Sequence, residues 1–305
     1  MNALSRRHHL LDIVDHGSDG VRRMIDLAVD LGSAARLPLA GRGVAMLFEK
    51  PSNRTRHSME MAVVQLGGHP IYTRGEEVGL DVRETVEDVT RILAGYHAVI
   101  AARVFAHATV ERMAAVSVVP VVNMLSDRSH PLQALADVVT MEEAAGPIKG
   151  QVVAWIGDYN NVARSLAEAV CLLGGTISLG CPAGHDADDS ELARLAGLGG
   201  TVRQSESPRE AVDGAAFVHT DTWISMGQES EADERREIFG AYRVDADLMS
   251  CAASGAWFMH CMPAHRGEEV SADVFDGPSS LVITQGHHRL TASRGALAYL
   301  TEGGL

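Results

Sequence analysis

The stretch of sequence that decides the fold reads Val44-Ala45-Met46-Leu47-Phe48-Glu49-Lys50-Pro51-Ser52-Asn53-Arg54-Thr55-Arg56-His57-Ser58. Its first five residues form an apolar run typical of a buried strand, and the apolar spacing from Met59 to Leu66 predicts a helix directly after it. Ser52 stands at the N-cap of that helix, whose first amides are unpaired donors with partial positive charge. Arg54 and Arg56 add permanent positive charge, so the segment predicts a pocket for a phosphate or a carboxylate. A capped surface helix with solvated arginines is the alternative.

The same succession of strand and helix recurs along the chain. Apolar runs with the length and composition of strands are Val44–Phe48, Pro70–Thr73, Ala98–Arg103, Val118–Met124, Val152–Ile156, Thr176–Cys181, Thr201–Gln204, Ala216–Thr220 and Trp257–Cys261. Amphipathic helical patterns separate them, as at Val86–Ala94, Thr109–Ala115, Leu132–Glu143, Val162–Leu173 and Glu191–Leu198. This alternation predicts an α/β protein with mainly parallel sheets flanked by helices. The glycines of Gly146–Gly150 suggest a border between two domains, residues 1–146 and 147–305.

The composition limits the classes of partner. With 305 residues, 46% of them hydrophobic and 22% charged, the chain is typical of a globular protein and long enough for two domains. A net charge of −14 argues against nucleic acid and acidic membrane surfaces, because both require basic patches. No apolar run approaches the roughly 18 residues of a membrane span. The four cysteines form no CxxC pair and are too few for a disulfide scaffold, which predicts a reduced, cytoplasmic protein.

Polar residues at the carboxyl ends of the predicted strands are the candidates for a site, because ligands of parallel sheets bind there. Arg103 closes an apolar run and requires an anionic partner, either a ligand or a structural carboxylate. His130 and Gln133 stand at the start of a helix that opens with Pro131. An imidazole and an amide there can polarise a carbonyl and hold an NH2 group, although a lone histidine is more often structural.

The second half of the chain offers a carboxylate and a thiol at strand ends. Asp221 is placed to pair with an amine or to cap the next turn. The stretch Gly157–Asn161 also follows a strand but has a single glycine, where a dinucleotide turn requires three. Cys261 lies between a strand end and Pro263, where a thiol is either a small apolar filler or functional. The histidines nearby show no compact metal-ligand spacing, so we expect no metal.

Together these clusters resemble the transcarbamoylases, and among them the ornithine carbamoyltransferases. Five features match in order: Ser52–Arg56 is similar to the family's S-T-R-T-R, Arg103 to its strand-ending arginine, His130–Gln133 to H-P-x-Q, Asp221–Gly227 to D-x-x-x-S-M-G, and His260–Pro263 to H-C-L-P. The likeness extends to Phe48–Pro51, Gln65–His69 and Pro263–Val270, and so covers nearly the whole chain.

The resemblance implies a first domain that binds carbamoyl phosphate. The residues it assigns to this substrate are Ser52, Asn53, Arg54, Thr55, Arg103, His130, Gln133, Cys261, Met262 and Arg289. Within this set Thr55, Arg103 and His130 face the carbonyl oxygen. Gln133 and the backbone of Cys261 and Met262 hold the NH2 group. The resemblance also implies that the last helix, about residues 288–300, crosses back to the first domain.

The second domain is implied to bind L-ornithine. Asn161 is assigned to its carboxylate, and Asp221, Ser225 and Met226 surround its α-amino group. Cys261 stands beside the attacking δ-amine, and with Arg103 and His130 it makes up the implied catalytic set. No cofactor is expected. The implied reaction gives L-citrulline and phosphate, in arginine biosynthesis or, in reverse, in catabolism.

Three departures from the family pattern stand out. Asn53 replaces a threonine, which keeps a polar side chain next to the N-cap. The loop from Arg74 to Glu84 lacks the glutamine that reaches a neighbouring subunit's site in the family. Near the end, His288–Arg294 replaces N-R-x-x-x-Q-K but retains an arginine, Arg289. A homotrimer or a higher multiple is expected from the resemblance alone.

Other functions remain open at this point. Another acceptor amine such as putrescine is the first alternative, although it lacks the groups that Asp221, Ser225 and Met226 would bind. A catalytically silent homologue that binds an anion or a partner protein is the second. A nicotinamide dehydrogenase is the third, and the missing glycine-rich turn weighs against it.

Overall fold

The computed structural model of the protein describes residues 9–30, 37–224 and 229–301. The chain divides into two compact units, one comprising Met1–Val139 with His288–Leu305 and the other Thr140–His287. Each unit is built around one parallel sheet, of four strands in the first and five in the second. The α/β class predicted from the alternation of apolar runs and helical patterns is confirmed.

The first unit begins with a 3-10 turn, Ile13–His16, and a helix, and then alternates strands with helices. Its elements are α1 (Gly17–Val29), β1 (Gly43–Phe48), α2 (Asn53–Gln65), β2 (His69–Arg74), α3 (Gly75–Val78), α4 (Val86–Tyr96), β3 (Val99–Arg103), α5 (His107–Val116), β4 (Val121–Leu125) and the start of α6 (Pro131–Ala145). The strands lie in the order β2-β1-β3-β4. The inner strands β1 and β3 are buried almost throughout, which is why they read as continuous apolar runs.

The two edge strands of this sheet, β2 and β4, have a less continuous apolar pattern than the inner strands. β2 is an edge strand with alternating exposure, and an edge tolerates Pro70 because one side of the strand has no ladder partner. β4 begins at Val121, three residues after the predicted start. Its outer side is covered by Leu10, whose backbone donates to Val121 and accepts from Asn123.

The second unit repeats the alternation with a longer sheet. Its elements are β5 (Val152–Ile156), α7 (Asn161–Leu172), β6 (Thr176–Gly180), α8 (Asp189–Ala196), β7 (Thr201–Ser205), α9 (Pro208–Val212), β8 (Phe217–Thr220), a 3-10 turn Glu229–Glu231, α10 (Ala232–Phe239), a 3-10 turn Gly240–Tyr242, α11 (Ala246–Met249), β9 (Trp257–His260), α12 (Ala272–Phe275) and the start of α13 (Val282–Thr301). The strand order is β7-β6-β5-β8-β9. Each of the predicted strand runs of both units overlaps an observed strand.

Each sheet has one point at which the chain changes its direction of travel across the sheet. In the first unit it lies between β1 and β3, whose last residues Phe48 and Arg103 are paired. In the second it lies between β5 and β8, whose last residues Ile156 and Thr220 are paired. Connections leave these neighbouring strands in opposite directions and open a crevice, which is where ligands of doubly wound sheets bind.

The final helix α13 ends in the first unit, as predicted. Arg294 donates to the carbonyl oxygen of Ala28 at 2.6 Å and to the side chain of Gln65 at 3.2 Å. Gly295 allows a close approach to α1, because a Cβ at this position would lie 2.4 Å from the carbonyl oxygen of Met24. Within the described ranges, no helix combines the length and the apolar character needed to cross a membrane.

Candidate active site

The first cluster of polar side chains is built on the N-terminus of α2, directly after β1. Ser52 is its N-cap, and its hydroxyl accepts from the Thr55 backbone at 3.4 Å and donates to the Thr55 hydroxyl at 3.0 Å. Thr55 is 1% exposed, whereas Arg54 is half-buried and Asn53 is exposed. The predicted strand, cap and helix are therefore present, with the free amides of the first turn next to Thr55.

Two buried arginines converge on the Thr55 hydroxyl. Arg103 donates from Nη1 at 3.3 Å, and Arg289 donates from Nη2 at 3.1 Å. The two residues are 7% and 4% exposed. Two guanidinium groups next to a helix N-terminus concentrate positive charge in a place shielded from water, and an anion relieves that repulsion.

His130 and Gln133 join the same cluster at the start of α6. Gln133 accepts from Arg289 Nη1 through Oε1 and donates through Nε2 to Asp137 at 2.7 Å. Burial, together with the positive charges of Arg289 and Arg103, holds the pKa of His130 well below its usual value. His130 is therefore a neutral imidazole at neutral pH, with one N–H to donate.

The second arginine of the opening motif does not join this cluster. Arg56 is exposed, donates to Glu60 at 2.9 Å and lies 3.8 Å above the ring of Tyr72. Positions 54 and 56 are two residues apart on a helix and so point to different faces, which corrects the expectation that both arginines line one pocket. The sequence did not indicate Lys50 as a site residue. Burial and the positive charge of Arg103 lower the pKa of its ammonium group.

The second cluster lies in the second unit, at the ends of β5, β8 and β9. The Asp221 carboxylate accepts from the Cys261 thiol at 2.9 Å, from the Thr222 backbone at 2.8 Å and from Asn160 Nδ2 at 3.0 Å. The structure thus joins Asp221 and Cys261, which are 40 positions apart in sequence. Both were predicted as site residues, but their direct contact was not.

The first turn of α7 lies beside Asp221. Asn160 is its N-cap, and its Oδ1 accepts from the backbones of Val162 and Ala163 at 2.9 and 3.0 Å. Asn161, the predicted carboxylate ligand, is the first residue of the helix and is half-buried. Two further predicted residues, Ser225 and Met226, lie outside the described residues.

The segment after β9 holds Cys261 in place through bonds that the motif alone did not reveal. Met262 has a φ of 56°, a conformation that residues with a side chain rarely adopt. Its backbone N–H donates to His260 Nδ1 at 2.8 Å, and His260 Nε2 lies 3.1 Å from Glu269 Oε1. The same Glu269 oxygen accepts from the His265 backbone at 2.6 Å. His260 and Glu269 are fully buried.

A buried arginine fixes the segment that follows Asp221. Arg235, on α10, donates to the carbonyl oxygen of Trp223 at 2.5 Å and to the carboxylate of Asp158. It is 5% exposed. Sequence reasoning missed this contact because Arg235 belongs to none of the motifs and lies in a strongly charged helix.

Two groups of side chains bring three potential metal ligands together, namely Asp221, His260 and Cys261, and His265, Glu268 and Glu269. Both ring nitrogens of His260 are engaged in the hydrogen bonds just described, so a metal ion in the first group would have to displace one. In the second group Glu268 is paired with Arg236 at 3.2 Å. We assign no metal role to either group.

Known proteins resemble this chain in both sequence and fold. Residues 8–143 match the sequence profile of the aspartate/ornithine carbamoyltransferase carbamoyl-P binding domain, and residues 149–300 match that of the Asp/Orn binding domain. An ornithine carbamoyltransferase of Hyperthermus butylicus is 46% identical over 302 residues, which is 95% of this chain and 96% of that protein. The anabolic enzyme of Pyrococcus furiosus is 44% identical over 92% of this chain and 90% of its own.

Solved structures agree with these relatives. The ornithine carbamoyltransferase of Pyrococcus furiosus superposes with a TM-score of 0.92 at 41% identity, covering 97% of both chains. That of Thermus thermophilus gives 0.88 at 39% identity, covering 97% of this chain and 99% of that one. The two parallel sheets and the two strand-end clusters define a two-domain α/β protein with buried arginines converging at a helix start in its first unit. The chain belongs to the aspartate/ornithine carbamoyltransferase family.

Proposed function

We infer that the chain is an ornithine carbamoyltransferase, which transfers the carbamoyl group of carbamoyl phosphate to the δ-amine of L-ornithine to give L-citrulline and phosphate. The observation that carries this inference is the convergence of Arg103 and Arg289 on Thr55 at the N-terminus of α2. Relatives named for this activity, alike over almost the whole chain, support the same substrate pair. We assign carbamoyl phosphate mainly to residues 1–146, with Arg289 contributed by the last helix, and ornithine to residues 147–305.

The phosphate group is proposed to bind at the first turn of α2. The free amides of that turn, with the Ser52 hydroxyl, supply donors, and the guanidinium groups of Arg103 and Arg289 supply charge. A phosphate is matched better than a carboxylate, because two arginines with several amides suit a dianion with three terminal oxygens. Asn53 and Arg54 belong to the same proposed set, at the more exposed side of the turn.

The carbamoyl carbonyl is proposed to face Thr55, Arg103 and His130. Negative charge grows on this oxygen as the tetrahedral intermediate forms, and preorganised donors stabilise it. A neutral His130 serves this purpose, because its N–H donates without competing for the phosphate's charge. The Gln133 carbonyl keeps a second lone pair for the NH2 group of the substrate. The predicted role of Cys261 and Met262 at that NH2 group stays a prediction.

The acceptor amine is proposed to bind at Cys261 and Asp221. The thiol donates its proton to the Asp221 carboxylate, and a lone pair of its sulfur can accept an N–H of the δ-amine. This orients the nitrogen lone pair away from the sulfur. The second carboxylate oxygen of Asp221 is proposed to accept from the positively charged α-amino group. The backbone amides at the start of α7, at Asn161, are proposed to bind the α-carboxylate.

The reaction then forms one bond and breaks one. The neutral δ-amine attacks the carbamoyl carbon, the tetrahedral intermediate collapses, and the bond from that carbon to the phosphate oxygen breaks. An alkylamine has a pKa of about 10.4, so it must lose a proton before attack. A second proton leaves the nitrogen afterwards, and the departing phosphate is a suitable acceptor for it. Positioning the two substrates contributes about 7–11 kcal/mol in such reactions.

The exposed apolar side chains and the cysteines support proposals on assembly and compartment. We propose a homotrimer or a higher multiple, which the exposed apolar side chains of Ile71 on β2 and of Met61 and Val64 on α2 support. The four cysteines are free thiols, which supports a reducing, cytoplasmic compartment. Light scattering coupled to size-exclusion chromatography tests the first proposal, and a mass equal to a single chain would contradict it.

A direct assay tests the function. Purified protein with carbamoyl phosphate and L-ornithine is expected to form citrulline and phosphate in equal amounts, faster at pH 8 than at pH 7 because more of the amine is neutral. Putrescine and L-lysine are assayed in parallel. Faster carbamoylation of putrescine would overturn the substrate assignment, and no product with any of the three amines would identify a silent homologue.

A further inference from the structure

A glutamine outside every motif joins the ends of two site-bearing strands. Gln285 lies in the first turn of α13 and is 1% exposed. Its Oε1 accepts from the His260 backbone at 2.9 Å, and its Nε2 lies 2.9 Å from His219 Nε2. His260 is the last residue of β9, and His219 is the second-last residue of β8.

The directions of these bonds follow from chemistry. A backbone N–H only donates, so the His260 amide fixes the glutamine oxygen toward itself and its NH2 group toward His219. His219 Nε2 must then accept, which leaves the ring proton on Nδ1, where it donates to the Thr220 carbonyl at 3.1 Å. The orientation of the His219 ring is thus fixed by both of its nitrogens, and the ring is stacked on Trp155 with the ring centres 5.1 Å apart.

The second histidine continues the chain of bonds. His260 Nδ1 accepts from the Met262 backbone, so its proton is on Nε2 and donates to Glu269. The titratable groups around Gln285 are therefore His219 on β8, His260 on β9 and, beyond His260, Glu269. Each has its hydrogen-bonding role set by the next, and Gln285 is the link between the two histidines.

Gln285 accepts from a backbone N–H that the strand ladder leaves on its outer side, although β8 and β9 are paired up to Thr220 and His260. β9 is the outer strand of its sheet, and Phe258 and His260 point their N–H groups away from β8. The outward N–H of Phe258 is taken by the Ser279 carbonyl, but that of His260 is taken by the Gln285 side chain. The residue after His260 is Cys261, and Asp221 follows shortly after His219.

We propose that Gln285 is a positioning residue that fixes the ends of β8 and β9 so that Cys261 can donate to Asp221. Its effect on catalysis rests on the function proposed above. Without the amide, His260 N–H and His219 Nε2 both lose a buried partner, and the strand ends separate to recover water. The thiol and the carboxylate, 2.9 Å apart, then lose their alignment.

Three variants test this proposal by steady-state kinetics. Gln285→Met keeps the volume but removes both hydrogen bonds, and kcat/KM for ornithine is expected to fall about tenfold or more, with KM for carbamoyl phosphate within about twofold. Gln204→Met is the matched control, because Gln204 also bridges backbone groups in this unit, at Ala187, but far along the sheet on β7. It is expected to keep both constants.

Gln285→Glu separates positioning from a merely structural role. The new carboxylate still accepts from the His260 backbone N–H. It can form a hydrogen bond with His219 Nε2 only when a proton is added to either the carboxylate or the imidazole. The activity of the variant relative to the wild type is therefore expected to recover at low pH and to be lost as the pH rises. A profile parallel to that of the wild type, or equal damage to both substrates in Gln285→Met, would overturn the proposal.

A readout that needs no turnover keeps the two inferences distinguishable. In a Cys251→Ser background, the alkylation rate of Cys261 by iodoacetamide is expected to rise about threefold or more on adding Gln285→Met, because a thiol that donates to a carboxylate is held in its unreactive form. An unchanged rate overturns the positioning role even if the wild type is active. A faster rate supports it even if the wild type forms no citrulline, which would refute only the proposed function.

Discussion

Thr55 is the residue on which the first cluster depends. Its hydroxyl oxygen accepts from two guanidinium groups that come from different parts of the sequence, the end of β3 and the middle of α13. A single small side chain thus sets the separation of two buried charges. Because Thr55 is buried, a substitution there is expected to alter the surroundings of Arg103 and Arg289 and not the solvent-exposed surface.

Replacing the hydroxyl by a methyl group tests this role. Thr55→Val keeps the shape but removes the shared acceptor, and since a hydrogen bond to a charged group contributes about 1.5–3 kcal/mol, KM for carbamoyl phosphate is expected to rise about tenfold to a hundredfold. Thr90→Val is the control, because the Thr90 hydroxyl is equally buried but bonds only to Val86 of its own helix. Similar kinetics for the two variants would contradict the role of Thr55.

Cys261 is the corresponding residue of the second cluster. Cys261→Ala removes the sulfur that is proposed to orient the δ-amine, and kcat/KM for ornithine is expected to fall by about 10²–10⁴. Affinity for carbamoyl phosphate, measured by equilibrium dialysis, is expected to change little. Cys251→Ala serves as control, because Cys251 contacts Arg209 away from the cluster. Equal losses for both substrates would count against the assignment.

At the scale of elements, α13 connects the chemistry to the fold. Its residue Arg289 donates to the Thr55 hydroxyl. Five residues later, Arg294 donates to the Ala28 carbonyl oxygen in the last turn of α1 and to the Gln65 side chain on α2. Burial lowers the pKa of Arg294, whereas the charge of Asp30 and the hydrogen bond to the Ala28 carbonyl oxygen favour its charged form. The helix therefore delivers Arg289 accurately only while Arg294 is anchored.

Arg294→Met tests this anchor. The substitution leaves the Ala28 carbonyl without its buried donor, which is expected to lower the free energy of unfolding by about 2–3 kcal/mol in urea titrations. Arg22→Met is the control, because the Arg22 side chain is 38% exposed and forms an ion pair with Asp26 on the surface of α1; its expected change is within about 0.5 kcal/mol. A smaller loss for Arg294→Met than for Arg22→Met would refute the anchoring role.

At the scale of the whole molecule, stability is tied to the protonation of the site. The pKa of His130 is held low in the folded protein by burial and by two arginines, whereas in the unfolded chain it returns to about 6.5. Above that pH both states are neutral and His130 has no effect. Below it the unfolded chain takes up a proton that the folded protein refuses, so stability falls as the pH falls.

The pH dependence of unfolding checks this sign. Between pH 6.5 and pH 5 the wild type is expected to lose stability more steeply than His130→Gln, by up to about 1.4 kcal/mol for each pH unit. Comparing the two proteins isolates His130 from His107, whose pKa burial also lowers. The free energy of unfolding is measured at each pH by circular dichroism in urea titrations. Parallel pH dependences for the two proteins would show that His130 titrates normally.

The sequence pattern was sufficient to predict strands and helix starts, because these depend on residues close together in the chain. The strands follow from apolar runs because inner strands of parallel sheets are buried on both faces, and Ser52, Thr55, His130 and Gln133 follow from helix starts directly after strands. Arg289 was assigned only through the family resemblance, since nothing near it in sequence indicates an anion. The placement of Arg56 on the opposite side of α2 is a matter of helical phase that motif spacing does not show.

What sequence could not give are contacts between segments far apart in the chain. The bonds of Asp221 to Cys261, of Arg235 to Asp158 and of Gln285 to His219 join residues separated by 40, 77 and 66 positions. Each depends on which strands are neighbours, and the order β7-β6-β5-β8-β9 is not encoded in local periodicity. The residues proposed to orient the site were therefore found from the structure, and the residues proposed to contact substrate were predicted from the sequence.

The double arginine at Thr55 has a consequence for the end of the reaction cycle. A cluster that recognises a phosphate dianion by its charge and its oxygens does not distinguish the substrate's phosphate from the inorganic phosphate left behind. If the cluster binds phosphate as proposed, the same groups retain the product, and its escape, rather than bond formation, is expected to limit turnover when substrates are plentiful. Added phosphate should then inhibit in competition with carbamoyl phosphate and not with ornithine.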